Sequence, residues 1–123
     1  MKISVVIANY NSANFIEQCI NSLNSQTYKD IEIIFFDDNS SDNSIDKIEK
    51  FSNVKVIKNK NQTMYGSLNQ LNAFKESINQ STGELIFFLD SDDYFHERKV
   101  ETIVSYFKNN NETKILFDLP INV

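Results

Sequence analysis

Glycine occurs only twice in the 123 residues, at Gly66 and Gly83. That scarcity excludes both glycine-rich phosphate cradles, the P-loop and the dinucleotide fingerprint. A phosphate bound by this chain must be held in another way. Cysteine occurs once, at Cys19, so there is neither an intramolecular disulfide nor a cysteine-based zinc site. A single histidine, His96, excludes a histidine-rich metal site. Positive charge is in deficit: 12 Lys and Arg against 17 Asp and Glu leave a net charge of −5. A nucleic-acid backbone needs a basic stripe, so it is not the expected partner. Long apolar runs are missing too. Val5 to Ala8 falls short of the roughly 7–15 residues of a signal-peptide core, and nothing approaches the ~20 residues of a membrane span. The Asn-x-Ser/Thr triplets at Asn39, Asn61, Asn79 and Asn111 therefore carry no weight.

What is present is ordinary globular composition, 41% hydrophobic and 24% charged, with ten Phe and five Tyr. The length predicts one domain over residues 1–123. Strand and helix patterns alternate along it. Ile3 to Ala8 is a nearly continuous apolar run, the mark of a strand covered on both faces. After the loop Asn9-Tyr10-Asn11-Ser12, the residues Phe15, Ile16, Cys19, Ile20 and Leu23 recur at helical spacing, behind a cap at Ser12 or Asn14. Glu32 to Phe36 is a second strand, and Ile45, Ile48 and Phe51 mark a short helix. Val54 to Ile57 alternates and is expected near an edge. Ser67 to Gln80 is expected to be helical, with Leu68, Leu71, Phe74 or Lys75, and Ile78 in register. Leu85 to Leu89 is the most apolar strand and is expected to be central. Glu97 to Lys108 is an amphipathic helix, Lys114 to Phe117 a last strand, and Leu119-Pro120 leads to the end. The pattern predicts an α/β fold, Rossmann-like, with a mostly parallel sheet flanked by helices on both faces.

In open parallel sheets, ligands bind outside the carboxyl ends of the strands. The polar residues concentrate there: Asn9-Tyr10-Asn11 after the first strand, Asp37-Asp38 after the second, Asp90-Ser91-Asp92-Asp93 after the fourth. Two carboxylates about 6 Å apart repel by roughly 3 kcal/mol at an effective dielectric near 20. Such a cluster calls for a hard cation with oxygen ligands, Mg²⁺ or Mn²⁺, shared with a diphosphate. Asp92, with Asp90, is the candidate ligand set. The bland alternatives are capping and turn roles for the Asp and Ser residues, and plain packing for Tyr10. Cys19, on an apolar helix face, is expected in the core rather than as a nucleophile, and His96 at the surface.

Three segments resemble glycosyltransferase family 2. Ser4-Val5-Val6-Ile7-Ala8-Asn9-Tyr10-Asn11 is similar to the family's opening strand and loop. Gln26 to Asp42 matches its next segment closely. Gly83-Glu84-Leu85-Ile86-Phe87-Phe88-Leu89-Asp90-Ser91-Asp92-Asp93 is similar to its metal-binding segment. The three are collinear and span residues 3 to about 100. The resemblance implies the GT-A fold and a nucleotide-sugar donor, commonly a UDP-sugar. It implies that Ala8, Asn9 and Tyr10 flank the nucleoside, that Asp38, beside Asp37, bonds the base, that Asp90 and Ser91 face the ribose or sugar, and that Asp92 ligates Mn²⁺ or Mg²⁺. It further implies inverting transfer to a glycan or lipid-linked acceptor, in bacterial surface-polysaccharide synthesis, in the cytoplasm or at the inner membrane face.

The departures are instructive. Ala8 stands where the family has Pro, and Glu97 replaces a frequent Pro in a helix's first turn, where an acid suits the helix dipole. No Arg lies between Asn59 and Gly83, leaving Asn69, Asn72 and Lys75 as polar candidates. No residue matches the family's catalytic base, which follows the portion seen here. The expectation is thus a donor-binding half that transfers sugar poorly alone and self-associates through apolar surface around Ile115, Leu116 and Phe117. The alternative is a non-catalytic nucleotide-binding or interaction module of the same fold. A phospho-acceptor receiver domain fits the length, but its required acids are missing after the first and third strands.

Overall fold

The computed structural model describes residues 1–59 and 62–118. Among them eight elements alternate: β1 (Ile3–Asn9), α1 (Ala13–Asn24), β2 (Ile31–Asp37), α2 (Ser44–Ile48), β3 (Val54–Lys58), α3 (Gly66–Asn79), β4 (Leu85–Asp90) and α4 (Lys99–Asn109). All pairings are parallel and the sheet order is β3-β2-β1-β4. In register, Asn9 stands opposite Asp37, Ala8 opposite Asp90, and Asp37 opposite Lys58. The carboxyl ends of all four strands therefore share one rim.

The core lies on one face of the sheet. Ile3, Val5 and Ile7 of β1, Ile33 and Phe35 of β2, and Phe87 and Leu89 of β4 meet Ile16, Cys19, Ile20 and Leu23 of α1. Ile48 of α2 and Val100 and Val104 of α4 complete it. On the other face α3 packs against β1 and β2, burying the small side chains Ala73 and Ser77.

Four expectations are corrected. The central strand is β1, not β4, which forms an edge among the described residues. Both strands are apolar, but burial on both faces belongs to β1, where Ser4 and Val6 are as enclosed as Val5 and Ile7. Phe88 of β4 is 53% exposed and meets Phe74 edge to face at 4.9 Å. The expected strand over 114–117 does not form: Phe117 is 93% exposed, and Asp118 pairs with Lys99, tying this segment to α4 instead of the sheet. The apolar stripe of α3 is not its buried face, since Leu68, Leu71 and Ile78 are exposed while Asn69, Ala73 and Ser77 are covered. Small side chains let the helix sit close on the sheet, whereas the leucines would hold it off. Finally, Ser12 stands at the N-cap of α1 but makes no capping side-chain hydrogen bond. Asp42 supplies the cap instead: its carboxylate accepts from Ala13 N at 3.0 Å and, on α2, from Ser44 N at 3.0 Å and Ser44 Oγ at 2.5 Å. Leu119-Pro120 lies outside the described residues. The expected edge position of β3 holds, and exposed Lys55 and Lys58 guard that edge.

At the amino ends of the strands the sheet is locked by Gly83. A Cβ there would lie 2.5 Å from Ser4 N and Ser4 Oγ, so only glycine fits. Gly83 N donates to Ser4 Oγ at 2.8 Å, and Ser4 Oγ donates onward to Glu32. Burial would raise the Glu32 pKa, but hydrogen bonds from Ser4 and Thr82 outweigh it and hold the carboxyl down to about 2.

A candidate nucleotide site at the carboxyl rim

The loops after β1 and β2 are stitched into one frame. Asn11 and Asn39 both adopt the left-handed conformation (φ 50° and 57°), which Asn tolerates better than most residues. Asn11 Oδ1 accepts from Ser41 N at 2.8 Å, and Asn11 N donates to Ser40 Oγ at 3.0 Å. Asp37 is buried and committed inward. Its carboxylate accepts from Asn9 Nδ2 at 2.8 Å, Ser40 Oγ at 2.6 Å and Ser40 N at 3.0 Å. Asp37 thus holds the frame and does not line the cleft beside it.

That cleft has a volume of about 440 Å³. Ala8, Asn9 and Tyr10 form one wall, Asp38 the floor, and Gln62, Thr63 and Met64 with Gly66, Asn69, Gln70 and Ala73 of α3 the other. Tyr10 is 55% exposed, its ring free to receive a planar group. Asp38 is buried but not saturated: Oδ1 accepts from Asn59 Nδ2 at 2.7 Å and Oδ2 from Gln62 Nε2 at 3.3 Å. Its main chain continues the sheet, with Asp38 N donating to Asn9 O at 2.9 Å.

Next along the rim a turn follows β4, closed by Asp93 N donating to Asp90 O at 3.0 Å. It gathers the carboxylates of Asp90, Asp92 and Asp93, all exposed, with an oxygen of each within 4.8 Å of the others. Partial burial, then the charges of Asp92 and Asp93, raise the pKa of Asp90. Beneath the turn, burial and then Asp93, Asp92 and Asp90 push the Cys19 thiol up to about 12, so it is neutral at ordinary pH. Cys19 is a core residue, as expected. Ser91 is buried within the turn, and His96 is exposed. Gln70 joins the two halves of the rim: it lines the cleft and donates through Nε2 to Asp90 Oδ1 at 3.3 Å.

Two readings of the sequence need adjustment. Gln62, Thr63 and Gln70 were missed as cleft residues. The signal for α3 lay in Gly66, Asn69, Gln70 and Ala73, which recur at helical spacing on one face, but the apolar stripe on the other face is the stronger pattern. Of the polar candidates in that stretch, Asn69 lines the cleft and braces its wall, exchanging hydrogen bonds with Thr63 N and Thr63 O at 2.9 Å each. Asn72 and Lys75 face a different hollow, beside β3.

An open parallel sheet with a cleft and acids at its carboxyl rim defines an α/β class whose ligands bind at that rim. The family follows from comparison: residues 4–120 match the family Glycosyl transferase family 2, and this chain belongs to it. It is 38% identical over 126 aligned residues to an uncharacterized glycosyltransferase of Nostoc sp., covering 98% of this chain and 37% of that one. It is 34% identical to the poly(ribitol-phosphate) beta-N-acetylglucosaminyltransferase TarP of Staphylococcus aureus, covering 94% of this chain and 36% of that one. Among solved structures, S. aureus TarS 1-349 in complex with UDP-GlcNAc superposes with a TM-score of 0.77 at 27% identity, over 90% of this chain and 32% of that one. A mannosyltransferase of Pyrobaculum calidifontis shares the fold, with a TM-score of 0.75 at 17% identity over 86% of this chain and 32% of that one. The architecture is that of GT-A glycosyltransferases. The chain thus spans about a third of the length of these relatives. Among the described residues no helix is long and apolar enough to cross a membrane.

Proposed function

We propose that residues 1–123 form a single nucleotide-sugar-binding domain, the donor-binding part of a metal-dependent glycosyltransferase that uses a UDP-sugar. One observation carries the reading: the cleft floored by Asp38 and the Asp90, Asp92 and Asp93 cluster share one rim and are bridged by Gln70. Uracil presents an imide N–H, and the unsaturated carboxylate of Asp38 is its natural acceptor. Ala8, Asn9 and Tyr10 flank the nucleoside, with the Tyr10 ring as stacking surface, while Asp37 keeps the loops in register behind them. Asp90 and Ser91 stand on the ribose or sugar side.

The donor set suits Mn²⁺ or Mg²⁺. It is all oxygen and anionic, and ligands sit about 2.1 Å from an Mg²⁺ ion. Donors already within 4.8 Å of one another need only side-chain rotation to share it. Asp92 is the principal ligand, assisted by Asp90. Held there, such an ion would supply Lewis-acid neutralisation of the negative charge on a diphosphate leaving group. This chain's part is to hold the base and ribose and to aim the diphosphate at the acids. The whole enzyme would pass the sugar to a hydroxyl of a glycan or lipid-linked acceptor with inversion, at the cytoplasmic face of the membrane. Names among the relatives, such as the Escherichia coli glucosyltransferase WfaP acting on a diphosphoundecaprenol acceptor, support a lipid-linked acceptor.

The test is calorimetric titration with UDP and GDP, with and without Mn²⁺. UDP binding that requires Mn²⁺ and is lost in Asp92→Ala is the expected result. Binding indifferent to both the ion and the substitution would overturn the reading. Hydrolysis of the matching UDP-sugar then separates residual chemistry from binding alone.

A further inference from the structure

The acidic turn has one main-chain hydrogen bond of its own, Asp93 N to Asp90 O, and both its ends are held from outside. Its upstream end is fixed by the sheet, where Asp90 stands in register with Ala8. Its downstream end is fixed from the last turns of α1 and the residues just after it. Phe95 N donates to Ser22 Oγ at 3.1 Å. Gln26 Nε2 donates to His96 O at 2.7 Å and to Ser22 O at 3.1 Å. Thr27 N donates to Glu97 O at 2.9 Å. Gln26 Oε1 accepts from Val100 N at 3.0 Å, capping α4, whose own N-cap residue Arg98 offers no side-chain hydrogen bond. Three successive residues after the acids are therefore pinned to the end of one helix and the residues just after it. Gln26, wholly buried, ties both the loop and the helix that follows. Its side-chain amide suits the three partners, because the NH₂ meets two carbonyls and the oxygen meets an N–H; no other side chain of similar size satisfies them all.

We infer that Gln26, supported by Ser22, is a positioning residue for the divalent-ion site, acting through the main chain of residues 95–100 on the carboxylates of Asp90, Asp92 and Asp93. The inference rests on the proposed metal-dependent reading. Releasing the clamp frees one end of the turn, and the acids then sample positions in which they no longer share an ion. The effect falls on ion affinity and only secondarily on the cleft, whose walls belong to other segments.

The experiment compares Gln26→Met, Ser22→Ala and the unsubstituted chain. Mn²⁺ binding is read from the free-ion electron paramagnetic resonance signal. Amide exchange at Phe95 and Val100 is read by NMR on the metal-free protein. Ile48→Ala serves as the stability control, since α2 carries none of these hydrogen bonds. Gln26→Met should weaken Mn²⁺ roughly 10-fold, the low end for an outer-shell support, and speed exchange at both amides. Ser22→Ala should do the same more weakly, chiefly at Phe95, and carries the test should Gln26→Met fail to fold. An equal loss of Mn²⁺ affinity in Ile48→Ala, or unchanged affinity in both clamp variants, would overturn the inference. If the unsubstituted chain binds no Mn²⁺, the metal reading fails by itself. Exchange then judges the clamp, and unchanged rates at Phe95 and Val100 refute it.

Discussion

Asp42 is an exposed loop residue with an unusual share of the structure's order. One carboxylate oxygen accepts from the first amide of α1, Ala13 N, and the other from the first amide and hydroxyl of α2, at Ser44. Losing a helix cap costs about 1 kcal/mol, and the further hydrogen bonds to this solvent-exposed carboxylate about 1 kcal/mol net. Asp42→Ala should therefore destabilise the chain by about 2 kcal/mol at neutral pH. For a chain of this size that is a fall in Tm of roughly 8 °C. The pH dependence gives a sharper test. Desolvation raises the Asp42 pKa, but the hydrogen bonds from Ser44 and Ala13 outweigh it, so the folded value lies below the usual 3.8. A depressed carboxylate contributes stability that is complete above its unfolded pKa and lost as pH falls through the folded one. Urea unfolding of both chains should show the full gap at about pH 7 and a gap that shrinks as the pH falls below the usual 3.8. A gap that survives acid unchanged, or one under about 0.5 kcal/mol at neutral pH, would refute the double-cap account.

Three further outcomes follow from the same geometry. Gly83→Ala drives a Cβ into the Ser4 backbone at 2.5 Å and should cost about 1–3 kcal/mol of overpacking in urea melts, with Gly66→Ala, where nothing lies within 4 Å, as the tolerated comparison. Asp90→Asn removes a group whose pKa is raised by partial burial and by Asp92 and Asp93, so its charge opposes folding above that pKa. The variant should melt higher than the unsubstituted chain in EDTA at neutral pH, yet bind Mn²⁺ more weakly. Asp38→Asn keeps the shape of the cleft floor but puts an amide where an imide N–H must be accepted. Calorimetry should show UDP binding reduced roughly 10-fold or more, consistent with about 1.5–3 kcal/mol for a hydrogen bond to a charged group, with Mn²⁺ affinity unaltered.

Much of this was written into the chain's local order. The alternation of apolar runs and helical stripes determined an α/β fold with parallel strands, because strand and helix periods differ and each crossover needs a helix. The acids directly after β2 and β4 determined which end of the sheet carries the chemistry, since parallel strands bring all their carboxyl ends to one side. The tertiary structure decided what depends on neighbours. Apolar content could not tell β1 from β4, because a central and an edge strand can bury equally apolar residues on their shared core face. The buried side of α3 went to Asn69, Ala73 and Ser77, because closeness to the sheet outweighed the stripe of Leu68, Leu71 and Ile78. The caps of α1 and α4 came from Asp42 and Gln26, 29 and 74 positions from the amides they serve. No local pattern marks such partners: a hydrogen bond depends on distance in space, and only the folded chain sets that distance.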